Sequence, residues 1–271
     1  MEHKCNTLNG SSGGPILNLS KNKIIGIHKG RFQINKVVKH NLGTLLKYPL
    51  NDLKNKSNKN EINMKVEIKK EDINKKINFL SDSKATNINI SNTELYINNI
   101  KKEFNIFFIP SKEGIYNIRL KFHFLIEDCS GFFYNCQNLK YIDLSSFDTR
   151  NVKNMGSMFY RCWNLENINL SSIVTKNLTN LTCMFYDCAN LKSIDLSSFD
   201  TRNVTSLCEM FFGCYHLKSI DISSFDIKKV TNIRNIFGNC LELKKIKVNK
   251  ESYDKFKDFL DNTYHIGKFY V

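Results

Sequence analysis

The sequence predicts an α/β repeat fold, a solenoid in which short strands and short helices alternate along a stack of units. The first observation is a period of 26 residues, which five cysteines mark: Cys136, Cys162, Cys188, Cys214 and Cys240. The second is that the text around each cysteine recurs without an insertion, as in "MFYDCANLKSIDLSSFDTRNVTSLCE". A fixed period of this length is typical of proteins whose units stack on one another.

Each unit contains a strand pattern followed by a helix pattern. In the first unit Leu139, Ile142 and Leu144 form an L-x-x-I-x-L pattern, whose alternating end predicts a short strand with one face inward. Apolar residues then follow at the spacing of one helix face: Val152, Met155, Met158, Phe159 and Cys162. We therefore expect strand, turn and short helix in every unit, with the apolar face buried by stacking.

The repeated text resembles the leucine-rich repeats of the BspA-like type, which carry MF-x-x-C-x-x-L-x-x-[IL]-D-L-S-x-F-D-T-x-x-V-T-N-M. The resemblance covers residues 127–248. It implies a leucine-rich-repeat solenoid, and such arrays usually occur in surface or adhesion-type proteins and act as protein-binding scaffolds. The resemblance names no ligand.

Two outward columns of the predicted strands are candidates for contact with a protein or peptide partner. One starts at Tyr141, and the other consists of Asp143, Asn169, Asp195 and Asp221. Acidic side chains one rung apart, about 4.8 Å, repel one another unless they are solvated or paired. A basic peptide is one counterpart and a plain hydrated face is the alternative. Carboxylates in a line do not close a coordination shell, so no metal site is predicted.

The cysteine column predicts buried free thiols that pack as small apolar residues. Each of these cysteines stands once per unit on the predicted apolar face, three residues after a phenylalanine, rather than in a C-x-x-C pair, so a zinc site is not indicated. The total of nine cysteines is odd, which argues against a complete disulfide framework. No cofactor is predicted.

The segments that flank the repeats predict end caps. Residues 54–62 are polar and basic and indicate a linker, whereas 63–126 alternate apolar and polar residues, which predicts a β-rich N-terminal cap. Residues 249–271 predict a C-terminal capping helix with Ser252 as its N-cap and an apolar stripe at helical spacing: Tyr253, Phe256, Phe259 and Leu260.

The segment that begins at Gly10 reads G-x-S-G-G-P, and "KIIGIHKG" follows it. This text resembles the nucleophile loop and pocket strand of trypsin-like serine peptidases, in particular the glutamyl-endopeptidase-like branch. The resemblance implies that Ser12 stands at the nucleophile position, that Gly10 supplies an oxyanion-hole amide, and that His28 contacts an acidic P1 side chain. Residues 1–53 are therefore predicted to be the C-terminal fragment of such a peptidase, a partial β-barrel.

The order of residues decides what we expect of this segment chemically. In the peptidase family the base and the orienting acid precede the nucleophile, and only eleven residues precede Ser12. We therefore expect a catalytically incomplete remnant joined to a binding scaffold. Two alternatives stay open: a truncated sequence of an active serine endopeptidase with a repeat tail, and a surface or adhesion protein.

Charge and hydropathy bear on nucleic-acid binding, membrane insertion and cellular location. Of the net charge of +14, residues 1–126 contribute +12, with 22 Lys and Arg against 10 Asp and Glu. These basic residues are scattered and no nucleic-acid-binding motif accompanies them, so a solvated surface is favoured over nucleic acid. No apolar run approaches the roughly 20 residues of a membrane span. Without a signal-peptide pattern the chain is expected to be cytoplasmic, or secreted or surface-bound if an N-terminal segment is missing.

Overall fold

A computed structural model of the protein describes residues 60–82 and 88–260, together with short strands near the two ends. The chain divides into two compact units, Met1–Ser57 and Asn58–Val271. In the first unit β1 (Leu17–Asn18) pairs antiparallel with β2 (Lys23–Ile24).

The rest of the predicted partial β-barrel lies outside the described residues. That applies to the three positions that the peptidase resemblance singles out, namely Gly10, Ser12 and His28. Their predicted roles stay predictions.

A strand-rich segment precedes the repeats in the second unit. Its strands are β3 (Glu61–Ile68), β4 (Ile77–Asn78), β5 (Thr93–Ile97), β6 (Ile100–Lys102), β7 (Phe107–Phe108) and β8 (Gly114–Phe122). β3 begins inside the segment 54–62 that the sequence assigns to a linker, because the side chain of Ile62 is completely buried. Alternate residues of β3 and β8 point into the core, as the period of a strand requires.

The first two repeats extend this sheet. β9 (Leu139–Asp143) pairs antiparallel with β3 and parallel with β10 (Asn167–Asn169), which gives a six-stranded sheet of order β10-β9-β3-β8-β5-β6. β3 thus covers the strand edge that the first repeat would otherwise expose. β4 and β7 form a separate antiparallel pair.

The later repeats form a second parallel ladder. β11 (Ser219–Asp221) pairs with β12 (Lys245–Lys247), and β12 pairs with β13 (Lys268–Tyr270). The third repeat is an exception, because its residues 191–196 contain no strand. A parallel bridge nevertheless joins every consecutive pair of units at one column: Asp128, Asn154, Asn180, Ser206 and Asn232.

The predicted α/β character of the repeats is wrong, because residues 127–248 contain strands and turns but no helix. In the first repeat the N–H groups of Ser157 and Phe159 donate to the carbonyl oxygens of Thr182 and Met184 in the next repeat, at 2.8 and 2.9 Å. Intervening N–H groups close turns three residues back, as Met158 does on Met155 at 3.2 Å. An α-helix needs these N–H groups for its own carbonyls four residues back.

Backbone angles of the same segment also exclude a helix. Ser157 and Arg161 have φ values of 54° and 57°, in the left-handed region, and equivalent positions recur in later units. The residues with helical spacing are nevertheless buried as predicted, since Val152, Met155 and Phe159 are all at 0% exposure. The apolar pattern therefore reports inward-facing positions correctly and the backbone type incorrectly.

Stacked phenylalanine rings form the centre of the repeat core. Successive centroids in the column lie 5.2, 5.4, 5.6 and 5.7 Å apart, and it contains Phe133, Phe159, Phe185, Phe211 and Phe237. A second, half-exposed column stacks at 4.7, 4.5 and 4.8 Å and contains Tyr134, Tyr160, Tyr186 and Phe212. Equivalent side chains at consecutive rungs thus meet face to face, which fixes the register between units.

The C-terminal helix α1 (Lys250–Leu260) follows the last repeat. Ser252 is not its N-cap: the side-chain oxygen of Asn249 accepts the N–H of Ser252 at 2.8 Å, so Asn249 holds the cap position. Ser252 instead donates its hydroxyl to the carbonyl of Phe225 at 3.3 Å, and Phe256 is completely buried. The helix therefore packs against the preceding repeats through its first turns.

Candidate interaction surface of the repeats

The structure places most of the predicted partner-binding residues in two parallel strand pairs, β9–β10 and β11–β12. Tyr141 and Asp143 lie opposite Asn167 and Asn169 in the β9–β10 ladder. Asp221 lies opposite Lys247 in the β11–β12 ladder. Asp195 belongs to the unit that lacks a strand.

The carboxylates of this column close turns of the backbone. The Oδ1 atoms of Asp143, Asp195 and Asp221 each accept the N–H two residues further on, at 2.9 Å in all three cases. Asn169 accepts the N–H of Ser171 in the same way at 3.1 Å. Asx turns of this kind explain why Asp or Asn occupies the position in every complete unit.

Two of these carboxylates have lowered pKa values. The backbone N–H of Ser197, together with its hydroxyl, lowers the pKa of Asp195. At Asp221 burial acts to raise the pKa, but hydrogen bonds from Ser223 and Lys247 outweigh it and the pKa is lowered. The Lys247 ammonium lies 3.0 Å from Asp221 Oδ2. The column is therefore anionic but partly committed to contacts within the chain.

Tyr141 lies at the edge of a shallow depression on the outer face of the six-stranded sheet. The ammonium of Lys65 lies 5.6 Å from the centre of its ring, and Asn117 and Arg119 complete this side of the depression. Arg119 stacks on the ring of Tyr96 at 4.0 Å, and its Nη1 lies 3.8 Å from Glu61. The Nε of Arg119 has no hydrogen-bond partner among the described residues.

A column that the sequence interpretation missed lies directly after the cysteines. It consists of Gln137, Trp163, Ala189, Tyr215 and Leu241, and the side chains of Trp163, Tyr215 and Leu241 are 42%, 37% and 78% exposed. We call the four residues from Trp163 to Leu241 the apolar ridge. The 26-residue register aligns these positions, so the column could be found from the sequence. It was missed because its residue type changes from unit to unit, whereas the repeat was recognised from residues that recur.

A second missed column consists of lysines three residues after the last three members of the apolar ridge. Lys192, Lys218 and Lys244 occupy equivalent positions in the last three units and are all exposed. We call these three residues the lysine column. The N–H of Lys244 donates to the carbonyl of Lys218 at 3.0 Å, which places those two residues on adjacent rungs.

The five cysteines of the 26-residue column are buried free thiols, whereas Cys183 and Cys208 are partly exposed. Cys188 donates its S–H to the carbonyl of Phe159 in the preceding unit at 3.2 Å. Cys162, Cys214 and Cys240 each make the equivalent bond to the phenylalanine of the unit before them. Burial raises the pKa of Cys188 well above that of a free thiol and raises the pKa of Cys240 to about 12. In the described part of the chain, no three His, Cys, Asp or Glu side chains come together as a metal site.

Comparison with known families finds two matches. Residues 71–180 match the family described as BspA type leucine rich repeat region, in six copies. Residues 127–250 match the family described as Mycoplasma protein of unknown function, DUF285. Searches of curated proteins and of solved structures gave no match. The two family matches support a BspA-like repeat protein.

One family match overlaps the segment that precedes the repeats. The BspA-type match begins at residue 71, within the segment 63–126 that the sequence assigns to a cap. The helices of the described residues are all too short or too polar to cross a membrane.

Proposed function

We propose that this BspA-like repeat protein is a leucine-rich-repeat solenoid that binds a protein or peptide partner through its repeats. One observation carries the proposal: across the units the phenylalanine and cysteine positions of the core hold the same residue types, while one outward column differs in every unit. The phenylalanine and cysteine columns are nearly uniform, whereas the column after the cysteines contains five different residue types. Positions that packing does not constrain are those available for recognition of a partner.

The chemistry of the repeats favours binding over catalysis. Thiols whose pKa values are raised by burial are poor nucleophiles near neutral pH. The aspartates at Asp143, Asp195 and Asp221 bond to backbone N–H groups of their own turns. Exposed tryptophan and tyrosine are the residue types that contribute most to protein interfaces.

A selection experiment tests the proposal. A random peptide library is selected on the immobilised full-length chain, and the bound peptides are mapped by hydroxyl-radical footprinting. We expect peptides with dissociation constants of about 10 μM or tighter, with protection confined to residues 127–248. A selection that yields no binder, or protection confined to other residues, contradicts a binding role for the repeats.

A second candidate function rests on the text around Ser12, which resembles the nucleophile loop of trypsin-like serine peptidases. In the favoured proposal this segment is a catalytically incomplete remnant. Its test is labelling of the full chain with an active-site phosphonate, with Ser12→Ala as the control. Labelling that disappears in the variant supports a peptidase, and equal background in both proteins supports the remnant.

A surface or adhesion role is a further form of the binding proposal. Arrays of the type that the sequence resembles usually occur in surface proteins. Detection of the protein on intact cells by an antibody against the repeats tests this location.

A further inference from the structure

We propose that the apolar ridge and the lysine column together form a docking surface for an acidic peptide segment that carries apolar side chains. The inference rests on the proposed binding function and names the class of partner. Its basis is the proximity, three residues apart in the last three units, of exposed apolar side chains and lysines that form no ion pair within the described part of the chain.

The apolar part of the surface is unusual for exposed residues. Eight large apolar side chains are exposed in the described residues, and three of them, Trp163, Tyr215 and Leu241, fall in this one column. The backbone holds the column in register, because the N–H groups of Asn190 and Glu242 donate to the carbonyls of Trp163 and Tyr215, both at 3.1 Å. Aligned exposed apolar residues on a fixed backbone are typical of an interaction site.

The charged part of the surface consists of lysines that form no ion pair with the described residues. Lys140, at the equivalent position of the first repeat, pairs with Glu67 at 2.7 Å and with Glu166 at 3.5 Å. The ion pairs found in residues 60–82 and 88–260 include none of the members of the lysine column. Glu242 is bonded to His216 at 2.8 Å, and its pKa is lowered by that bond and further by the charges of Lys218 and Lys244, so it neutralises this end of the column in part.

Three ammonium groups on successive rungs about 4.8 Å apart repel one another. Carboxylates of a partner would relieve this repulsion and lose little of their hydration at an exposed site. In the last three units a lysine follows the ridge residue by three positions, a distance of at most about 10 Å. After Trp163 that position is Glu166, whose carboxylate pairs with Lys140 at 3.5 Å. One short peptide can therefore contact both columns at once.

Single-stranded nucleic acid also combines negative charge with rings that stack on aromatic side chains. The charge of the surrounding surface favours a peptide. Residues 127–248 contain 14 Lys and Arg against 12 Asp and Glu, and the anionic column with Asp195 and Asp221 lies three strand positions beyond the lysines. A continuous phosphate backbone would be repelled there, whereas a peptide can place its carboxylates only where lysines are.

The chain contains its own reporter, because Trp163 is its only tryptophan and is 42% exposed. The full-length protein is titrated with a short peptide in which pairs of Glu separate single Leu residues. We expect a saturable blue shift of the Trp163 emission and reduced quenching by acrylamide, both weaker at high salt. Matched probes are the same peptide with Lys for Glu, the same peptide with Ser for Leu, and an oligothymidylate.

Variants locate the site. Lys218→Glu combined with Lys244→Glu is expected to weaken binding of the Glu–Leu peptide by about tenfold or more. Lys176→Glu reverses one exposed lysine half a coil from Trp163, which is half of that charge change, and is expected to change affinity less than about twofold. Should the double Glu variant lose its native circular dichroism, Lys218→Gln with Lys244→Gln replaces it.

Several outcomes overturn the proposal: no shift with the Glu–Leu peptide, an equal shift with the Lys peptide or the oligothymidylate, or an equal loss in Lys176→Glu. If library-selected peptides still protect residues 127–248 while the Glu–Leu peptide leaves Trp163 unchanged, the binding function stands and the acidic partner is wrong. If neither binds the repeats, both are wrong.

Discussion

The hydroxyl of Thr175 bonds the backbone of Asp200 twice, accepting its N–H at 2.6 Å and donating to its carbonyl oxygen at 3.3 Å. Thr149 bonds Val174 in the same way, and Thr201 bonds Asp226. All three threonines are at most 2% exposed. One side chain in each of these units thus satisfies both backbone groups of a residue in the next unit, where the strand ladder has ended.

Replacement of Thr175 by Val tests this contact. The shape is kept, but the N–H and carbonyl of Asp200 lose their partner in a buried setting, so we expect a loss of about 2 kcal/mol or more in the free energy of unfolding. Urea denaturation measures it. Thr175→Ser keeps the hydroxyl and is the matched control, with an expected loss below about 1 kcal/mol. Equal stability of Thr175→Val and wild type contradicts the role of the hydroxyl.

The two aromatic columns are expected to contribute unequally to stability. Phe185 is completely buried between the rings of Phe159 and Phe211, so Phe185→Ala should cost about 3 to 5 kcal/mol. Phe212→Ala removes the same group from the half-exposed column and should cost less than half as much. Thermal or urea denaturation compares them, and similar losses would show that the assigned burial is incorrect.

Thiol reactivity should separate the cysteines of the described residues into two groups. Cys183 and Cys208 are partly exposed, and burial together with Glu209 raises the pKa of Cys183 to about 12. We expect iodoacetamide at pH 8 to modify Cys208 first and Cys183 more slowly, while Cys188 and Cys214 react only after unfolding. Mass spectrometry of digests gives the order. Rapid modification of Cys188 in the native protein would contradict its burial.

Buried thiols also predict a loss of stability at alkaline pH. A thiol in the unfolded chain has a pKa of about 8.5, whereas the pKa of Cys240 in the folded protein is about 12. Between these values the unfolded state has released the proton and the folded state has kept it, so the free energy of unfolding decreases as pH rises. The contribution of the protonated Cys240 thiol to the free energy of unfolding is fully retained below about pH 8.5.

Urea midpoints between pH 7 and pH 10 measure this dependence. Cys188→Ala with Cys214→Ala removes two of the thiols and should make the alkaline decrease shallower, although stability at pH 7 is lower. The matched pair Cys183→Ala and Cys208→Ala, which changes partly exposed thiols, should alter the slope less. Parallel pH curves for all three proteins contradict the linkage.

The sequence predicted the repeats and their inward residues because burial leaves a regular apolar pattern. Ile142 and Ile168 lie opposite each other as the 26-residue register requires. The helix could not be distinguished, because turns at Ser157 and Arg161 bury Met155 and Phe159 at the same spacing as a helix would. Which carbonyl an N–H group bonds depends on the next unit, and a local pattern does not contain that information.

The candidate site was predictable only in part. The aspartates were found as an outward column, but their bonds to the backbone of Ser197 and Ser223 depend on side-chain geometry. Trp163 and Tyr215 were visible in the aligned repeats, but their exposure was not. The Asn249 cap was missed because Asn and Ser cap helices equally well, so residue type alone does not choose between Asn249 and Ser252.

Hydrogen–deuterium exchange of the full-length protein, with and without a saturating library-selected peptide, measures most directly whether this side of the repeats is the binding surface. The N–H groups of Asn190, His216 and Glu242 bond the carbonyls of the apolar ridge. We expect their exchange to slow on binding, while that of Thr179 and Thr205, elsewhere on the coil, stays the same. Slower exchange at Thr179 and Thr205 alone, or only outside residues 127–248, would contradict the assignment of this side of the repeats as the binding surface.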